Sequence, residues 1–293
     1  MKPLMERVKD EVLVCDGAMG TQLIEKGLPL GECPELWAIK RHKVLFAIHN
    51  SYIKAGADMI TTNTFGANRI KLKKFKIDKK LAQINSDAVK IAKAAAADKA
   101  YVLGNIGPTG EYLEPAGSLK FDECYDVFLE QAKILEAEGA DAIIIETMTD
   151  IEELKAAVIA IKENVKKIPL IACMSFSKTK QGAYRTTSGA TIPQMVDEVL
   201  MTGVDVIGAN CGVDIEQMTE VIARMRPLTT AFIIAEPNAG NPKLVNNKTV
   251  YAQSADEFSK HIPALINAGA NVIGGCCGTT PEHIRKIKEA LKR

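Results

Sequence analysis

Apolar residues fall into two alternating kinds of segment: short, nearly unbroken runs, and longer stretches in which apolar positions recur every three or four residues. Four of the runs share one phrase, Ala55-Gly56-Ala57-Asp58-Met59-Ile60, Glu138-Gly139-Ala140-Asp141-Ala142-Ile143, Thr202-Gly203-Val204-Asp205-Val206-Ile207 and Ala268-Gly269-Ala270-Asn271-Val272-Ile273. Glycine, a small residue, Asp or Asn and then an apolar run reads as helix C-cap, tight turn and buried strand. Further runs at 12–15, 101–103, 170–173 and 232–235 lie between them, so the chain predicts eight strands. Helical periodicity fills the intervals, at 36–55, 81–97, 121–138, 151–165, 215–225 and 255–268. Ser254 with Glu257, and Thr149 with Glu152, read as capping boxes.

Short apolar strands alternating with amphipathic helices predict a parallel sheet covered on both faces. Eight such units predict an α/β protein with one domain over residues 1–293, a closed (β/α)8 or TIM barrel. A doubly wound open sheet is the alternative. It is disfavoured because no GxGxxG follows the first strand and Gly104, Gly107 and Gly110 are spaced wrongly for a phosphate loop.

The charge balance, 37 Lys and Arg against 36 Asp and Glu, leaves no general field for nucleic acid or an anionic membrane. The N-terminal residues are charged and lack the apolar core of a secretory signal, and no apolar run approaches bilayer length, so a cytoplasmic protein is expected. Seven cysteines without CxxC spacing argue against a disulfide framework and for reduced thiols, some of them on a metal. The six lysines at 71–80 read as a solvated helix face, with docking of an acidic partner as the alternative.

In a barrel the active site lies at the C-terminal strand ends. Those ends carry Asp16-Gly17-Ala18-Met19, Asn63-Thr64-Phe65, Asn105-Ile106-Gly107, Glu146-Thr147, Ser175-Phe176, Asn210-Cys211, Glu236-Pro237-Asn238 and Cys276-Cys277. The run Val272 to Gly275 reads as a strand ending in the paired cysteines, followed by a helix with Thr280 as N-cap and Pro281 as its first residue. The flanking glycines free the backbone enough for both sulfurs to converge, and Cys211 has a parallel setting. Three cysteines leave a zinc shell one ligand short, which is the catalytic pattern. A pair of inert thiols or a vicinal disulfide is the bland reading of Cys276 and Cys277, and the third matching cysteine argues against it. Asn63, Asn105 and Asn210 read as braces of turns, Thr109 and Ser175 as solvent-facing or supporting groups, and His283 as a surface or capping group.

Five motifs carry a resemblance. Asp16-Gly17-Ala18-Met19-Gly20-Thr21, Thr62-Asn63-Thr64-Phe65-Gly66-Ala67, Gly104-Asn105-Ile106-Gly107-Pro108-Thr109-Gly110, Glu236-Pro237-Asn238-Ala239-Gly240 and Gly274-Gly275-Cys276-Cys277-Gly278-Thr279-Thr280-Pro281-Glu282-His283 resemble the homocysteine-binding barrel of cobalamin-dependent methionine synthases, within the homocysteine S-methyltransferase family. The resemblance implies a (β/α)8 methyltransferase whose Cys211, Cys276 and Cys277 hold zinc, bind homocysteine as a zinc thiolate and lead to methionine. By position and by the resemblance, Asp16 and Glu146 suit the substrate ammonium, and the backbone N–H groups of Ala18 and Met19 its carboxylate. Asp16 as a helix cap and Glu146 as an ion-pair partner remain the alternatives. Asn238 is placed to fill the open zinc position when substrate is absent. Asp-x-His-x-x-Gly, the cobalamin-ligating motif, does not occur, so methylcobalamin or another methylcorrinoid is expected as donor, in solution or on a corrinoid-binding protein docked over the barrel mouth. A standalone enzyme using S-methylmethionine or another sulfonium, and a homocysteine-binding module without turnover of its own, are the rivals. Gly66 stands where betaine-using relatives carry an aromatic residue.

Overall fold

The computed structural model describes residues 1–245 and 248–292. Eight parallel strands form the wall: β1 (Leu13–Val14), β2 (Met59–Thr61), β3 (Tyr101–Ile106), β4 (Ala142–Met148), β5 (Leu170–Met174), β6 (Val206–Asn210), β7 (Phe232–Glu236) and β8 (Val272–Ile273). Each lies beside its neighbour in sequence, and β8 returns to β1 through the pairs Leu13↔Val272 and Val14↔Ile273. The remaining seam, between β1 and β2, is joined by a parallel bridge Cys15↔Met59 and by the Asp58 N–H donating to the Val14 carbonyl at 2.7 Å. This is the predicted barrel; a doubly wound sheet would leave two free edges.

The repeated phrase explains the closure. Gly56, Gly139, Gly203 and Gly269 all have positive φ, 104°, 90°, 79° and 110°, so each ends its helix in the left-handed conformation that glycine adopts without penalty. The acid or amide two residues later then pins the strand before it. Asp58 accepts the Val14 N–H at 3.0 Å, Asp141 that of Val102 at 2.7 Å, Asp205 that of Leu170 at 2.9 Å, and Asn271 that of Ile233 at 2.9 Å. Each even-numbered strand is thereby locked in register to the odd-numbered one preceding it.

Leu13, Cys15, Met59, Leu103, Ile144, Ile171, Cys173, Val206, Ile234 and Val272 fill the barrel interior, with Leu4 and Val8 of the helix Leu4–Asp10 in the same cluster. Outward-facing residues such as Val14, Ile60, Ile143 and Ile207 pack on the helices. The helices at Leu81–Ala96, Phe121–Ala137, Ile151–Asn164 and Ile215–Met225 end within one residue of expectation. Two others break. The stretch expected at 36–55 divides into Trp37–Lys40 and His42–Ala55, because Arg41 leaves helical geometry at φ −137° and ψ 36°. That expected at 255–268 divides into Ala255–Ser259 and Ile262–Asn267: Pro263 has no N–H to continue the ladder and starts a new first turn instead. The Thr149 capping box is also corrected, since Asp150 is the N-cap and its side chain accepts the Glu152 and Glu153 N–H groups. No helix among the described residues is long and apolar enough to cross a membrane.

Candidate active site

A cavity of about 290 Å³ opens at the C-terminal strand ends, lined by Asp16, Met19, Asn105, Glu146, Glu236 and all three predicted metal cysteines, among others. β6 runs directly into Cys211, whose φ of 58° is unusual for a residue with a side chain; its N–H donates to the Glu236 carbonyl at 3.0 Å. Gly212 follows at φ 73°, where a side chain would collide with the Phe176 carbonyl. This turn delivers the Cys211 sulfur to the cavity wall. Beyond β8, the Gly275 N–H donates to the Asp16 carbonyl at 3.0 Å and the Cys276 N–H to the Pro237 carbonyl at 2.8 Å, which fixes the paired cysteines between β1 and β7. Thr280 caps the next helix and Pro281 opens it, as expected.

Cys211, Cys276 and Cys277 bring their sulfurs within 4.8 Å of one another, and Cys211 and Cys277 lie 3.9 Å apart. Sulfurs around a tetrahedral zinc at about 2.3 Å stand about 3.8 Å apart, so the donor set fits that ion in both chemistry and spacing. Hydrogen bonding with Cys211 and Cys276 holds the Cys277 thiol well below its usual range, against the opposing effect of burial. Cys15, Cys33, Cys124 and Cys173 are buried outside this cluster.

Carboxyls line the same cavity, Asp16 buried and Glu146 half-buried. Asp16 accepts the Thr61 N–H at 2.9 Å and the Thr61 hydroxyl at 3.2 Å. Burial nonetheless pushes it up to about 8, with the Glu146 charge adding to the rise. Glu146 accepts from the side-chain amides of Asn105 and, at 3.1 Å, Asn210. Burial raises it to about 7, the Asn105 bond opposing and the Cys277 charge assisting. Asn210 also accepts the Thr147 N–H at 2.7 Å, which holds Thr147 at φ 61°. Asn105 and Asn210 therefore orient a cavity carboxylate, a larger role than bracing turns, whereas Asn63 does brace one, donating to the Pro34 carbonyl at 2.9 Å.

The expectation for Ala18 is corrected. Its N–H is taken by the Thr279 hydroxyl at 3.1 Å and is not free for a ligand. Met19 opens the helix Met19–Glu25, so its N–H has no acceptor within that helix, and the residue lines the cavity. Asn238 is buried between the cysteine loops without lining the cavity; its N–H donates to the Val213 carbonyl at 3.0 Å and its Oδ1 has no partner. Thr109 is fully buried and its hydroxyl donates to Glu153 at 2.6 Å. His283 is a buried cap whose Nδ1 accepts the Thr280 N–H at 3.3 Å, not a surface group. Lys71, the first of the lysine run, is only partly solvated and lies 4.6 Å from the centre of the Phe65 ring.

Sequence reasoning assigned no role to Thr279 or Glu236. Thr279 accepts from Ala18 and donates to the Cys276 carbonyl at 2.7 Å, tying the first strand's loop to the cysteine loop. Its place two residues past the cysteine pair was the only signal.

A parallel barrel with three convergent thiols and buried carboxyls at its C-terminal mouth defines an α/β enzyme with a candidate metal centre. Residues 13–291 match the family described as Homocysteine S-methyltransferase. Methionine synthases of Mycobacterium leprae and Mycobacterium tuberculosis are 34% and 33% identical over 99% and 98% of the chain, which spans 25% of the length of each. The homocysteine methyltransferase MmuM from Escherichia coli, in a form described as metallated, superposes with a TM-score of 0.79 at 22% identity, over 98% of this chain and 99% of that one. The chain belongs to the homocysteine S-methyltransferase family.

Proposed function

We propose that this barrel methylates the sulfur of homocysteine to give methionine, with zinc held by Cys211, Cys276 and Cys277 and the methyl group supplied by a methylcorrinoid. The observation that carries the reading is that three sulfurs within 4.8 Å of one another share one cavity with the carboxyls of Asp16 and Glu146. Zinc, when bound, supplies a Lewis acid that keeps a coordinated thiol deprotonated at neutral pH. Asp16 and Glu146 bind the substrate ammonium, and the Met19 N–H receives its carboxylate. Asn105 and Asn210 hold Glu146 in place for that contact. The unpartnered Asn238 amide oxygen is available to the metal when substrate is absent.

The cavity size bears on the donor. About 290 Å³ is at the lower limit for ligand pockets, enough for one amino acid and too small to enclose a corrin as well. A large donor therefore presents its methyl group at the mouth. Exposed apolar side chains stand on the loops after β1, β3 and β7, namely Leu30, Tyr112 and Leu244, and suit a docked corrinoid protein. The chain's place in the cytoplasm belongs to the same reading. Methyl transfer to homocysteine is the test, run with methylcobalamin, protein-bound methylcorrinoid and S-methylmethionine, with and without a zinc chelator. Chelator-sensitive methionine formation from methylcorrinoid is expected. Turnover from S-methylmethionine alone would transfer the donor role to a sulfonium, and homocysteine binding without turnover from any donor would make the chain a substrate-presenting module.

A further inference from the structure

Glu236 ends β7 as the third carboxyl of the cavity and has no part in the homocysteine contacts proposed for Asp16 and Glu146. Only 3% exposed, it lines the cavity with Asp16 and Glu146, and its Oε2 has no hydrogen-bond partner. Its path to that position runs past β8. Gly274 has no side chain there, and a Cβ at that position would lie 3.1 Å from Glu236 Oε1, 3.0 Å from the Asp16 carbonyl and 2.8 Å from the Cys15 Cβ. The glycine thus keeps open the gap through which the Glu236 carboxyl reaches the β1 side of the site. Three carboxyls line one cavity, an arrangement that suits a cation placed among them.

An ammonium has three N–H donors. Asp16 and Glu146 are already oriented by Thr61, Asn105 and Asn210, whereas Glu236 carries an acceptor with nothing to accept. We propose that Glu236 is a substrate-binding residue whose free Oε2 accepts the third N–H of the substrate ammonium, making the site selective for α-amino thiols over thiols without the amine. This rests on the proposed homocysteine site. Accepting this bond requires an oxygen in either protonation state, so the informative substitution is Glu236→Met, which keeps the volume and removes both oxygens.

The experiment compares zinc-loaded wild type and Glu236→Met for binding of homocysteine and of 4-mercaptobutanoate, the same thiol acid without the amine. Loss of one charge-assisted hydrogen bond should weaken homocysteine binding about ten- to a hundredfold, with 4-mercaptobutanoate affinity and zinc content unchanged. Equal homocysteine affinity in the two proteins, or an equal loss for both thiols, overturns the role of Glu236. If wild type binds neither thiol, the homocysteine site itself fails and this role fails with it. Loss of zinc from Glu236→Met also overturns it, because the residue would then support the cysteine cluster; Glu236→Gln, which keeps one oxygen, should retain most of the homocysteine affinity.

Discussion

Asn210 and Glu146, on strands 64 residues apart in sequence, are joined by a hydrogen bond of 3.1 Å from Nδ2 to Oε2, and Asn210 immediately precedes Cys211, one of the proposed metal ligands. The amide sets the carboxylate and the sulfur in one frame, since it also holds Thr147 through the N–H at 2.7 Å. Asn210→Ala should free Glu146 and weaken homocysteine binding by about tenfold, the value of one hydrogen bond to a charged group. Calorimetry with zinc-loaded protein measures it. Unchanged affinity would show that Glu146 is held well enough by Asn105 alone.

Cys277→Ala should abolish tight zinc binding and methyl transfer while the barrel stays folded, because the interior cluster of Leu13, Ile144, Val206 and Ile234 does not depend on the metal. Metal analysis and circular dichroism of the same sample separate the two effects. Full zinc occupancy in the variant would remove Cys277 from the metal site.

How much of this was legible in the sequence depended on how local each signal is. The glycine of each repeated phrase and the capping box at Ser254 act within a few residues, and both stand in the structure as expected. The three cysteines were legible because eight strand ends of a barrel share one face, so a strand-end position is also a spatial one. Roles set by distant partners were not. The Ala18 N–H is consumed by a hydroxyl 261 positions away, and Asn105 meets Glu146 across 41 positions. No period or spacing encodes such contacts. The same holds for the Asp and Asn of the repeated phrase: the sequence marked them as turn residues, and only the assembled wall shows each pinning the preceding strand.

That pinning predicts where stability resides. Asp58 accepts the Val14 N–H and also pairs with Arg7 at 2.7 Å and Lys288 at 2.6 Å, joining the first helix, the β1–β2 seam and the last helix. Asp58→Ala should destabilise the protein by about 3 kcal/mol, as expected when one member of a largely buried charge cluster is removed. Homocysteine affinity should not change, because the cluster lies at the opposite end of the barrel from the cavity. Urea unfolding reads the first quantity and calorimetry the second. An unchanged midpoint would mean the remaining bonds suffice to close the seam.

Asp16 should make the ligand-free protein pH-sensitive. Its carboxyl titrates near 8 in the fold, raised by burial, and near 4 in the unfolded chain. Between those values the folded state binds more protons than the unfolded one, so stability falls as pH rises from about 4 to 8. Asp16→Asn keeps an acceptor for Thr61 and removes the titration. The variant's unfolding free energy should fall less steeply with pH and exceed that of wild type above about pH 8, by up to about 5 kcal/mol. Parallel stability curves from pH 5 to 9 would place the charge penalty elsewhere.

Betaine should be a poor methyl donor. Recognition of a quaternary ammonium rests on a free aromatic face, a contact worth about 0.5 to 2 kcal/mol. At Gly66 no such ring fits: its N–H donates to Glu35 Oε1 at 2.7 Å, and a Cβ there would lie equally close to the same oxygen. Among the described residues that line the cavity Phe65 is the one aromatic, and its ring is already engaged. Lys71 Nζ sits 4.6 Å from its ring centre, and Gly107 packs so closely against the ring that a side chain there would overlap it. A cationic donor would have to displace the lysine from that face and tolerate its charge nearby. Methionine formation from betaine should therefore stay below about a tenth of that from methylcobalamin at equal concentration, consistent with loss of about 1.4 kcal/mol or more. Comparable rates from the two donors would show that a quaternary ammonium is bound by some other part of the mouth.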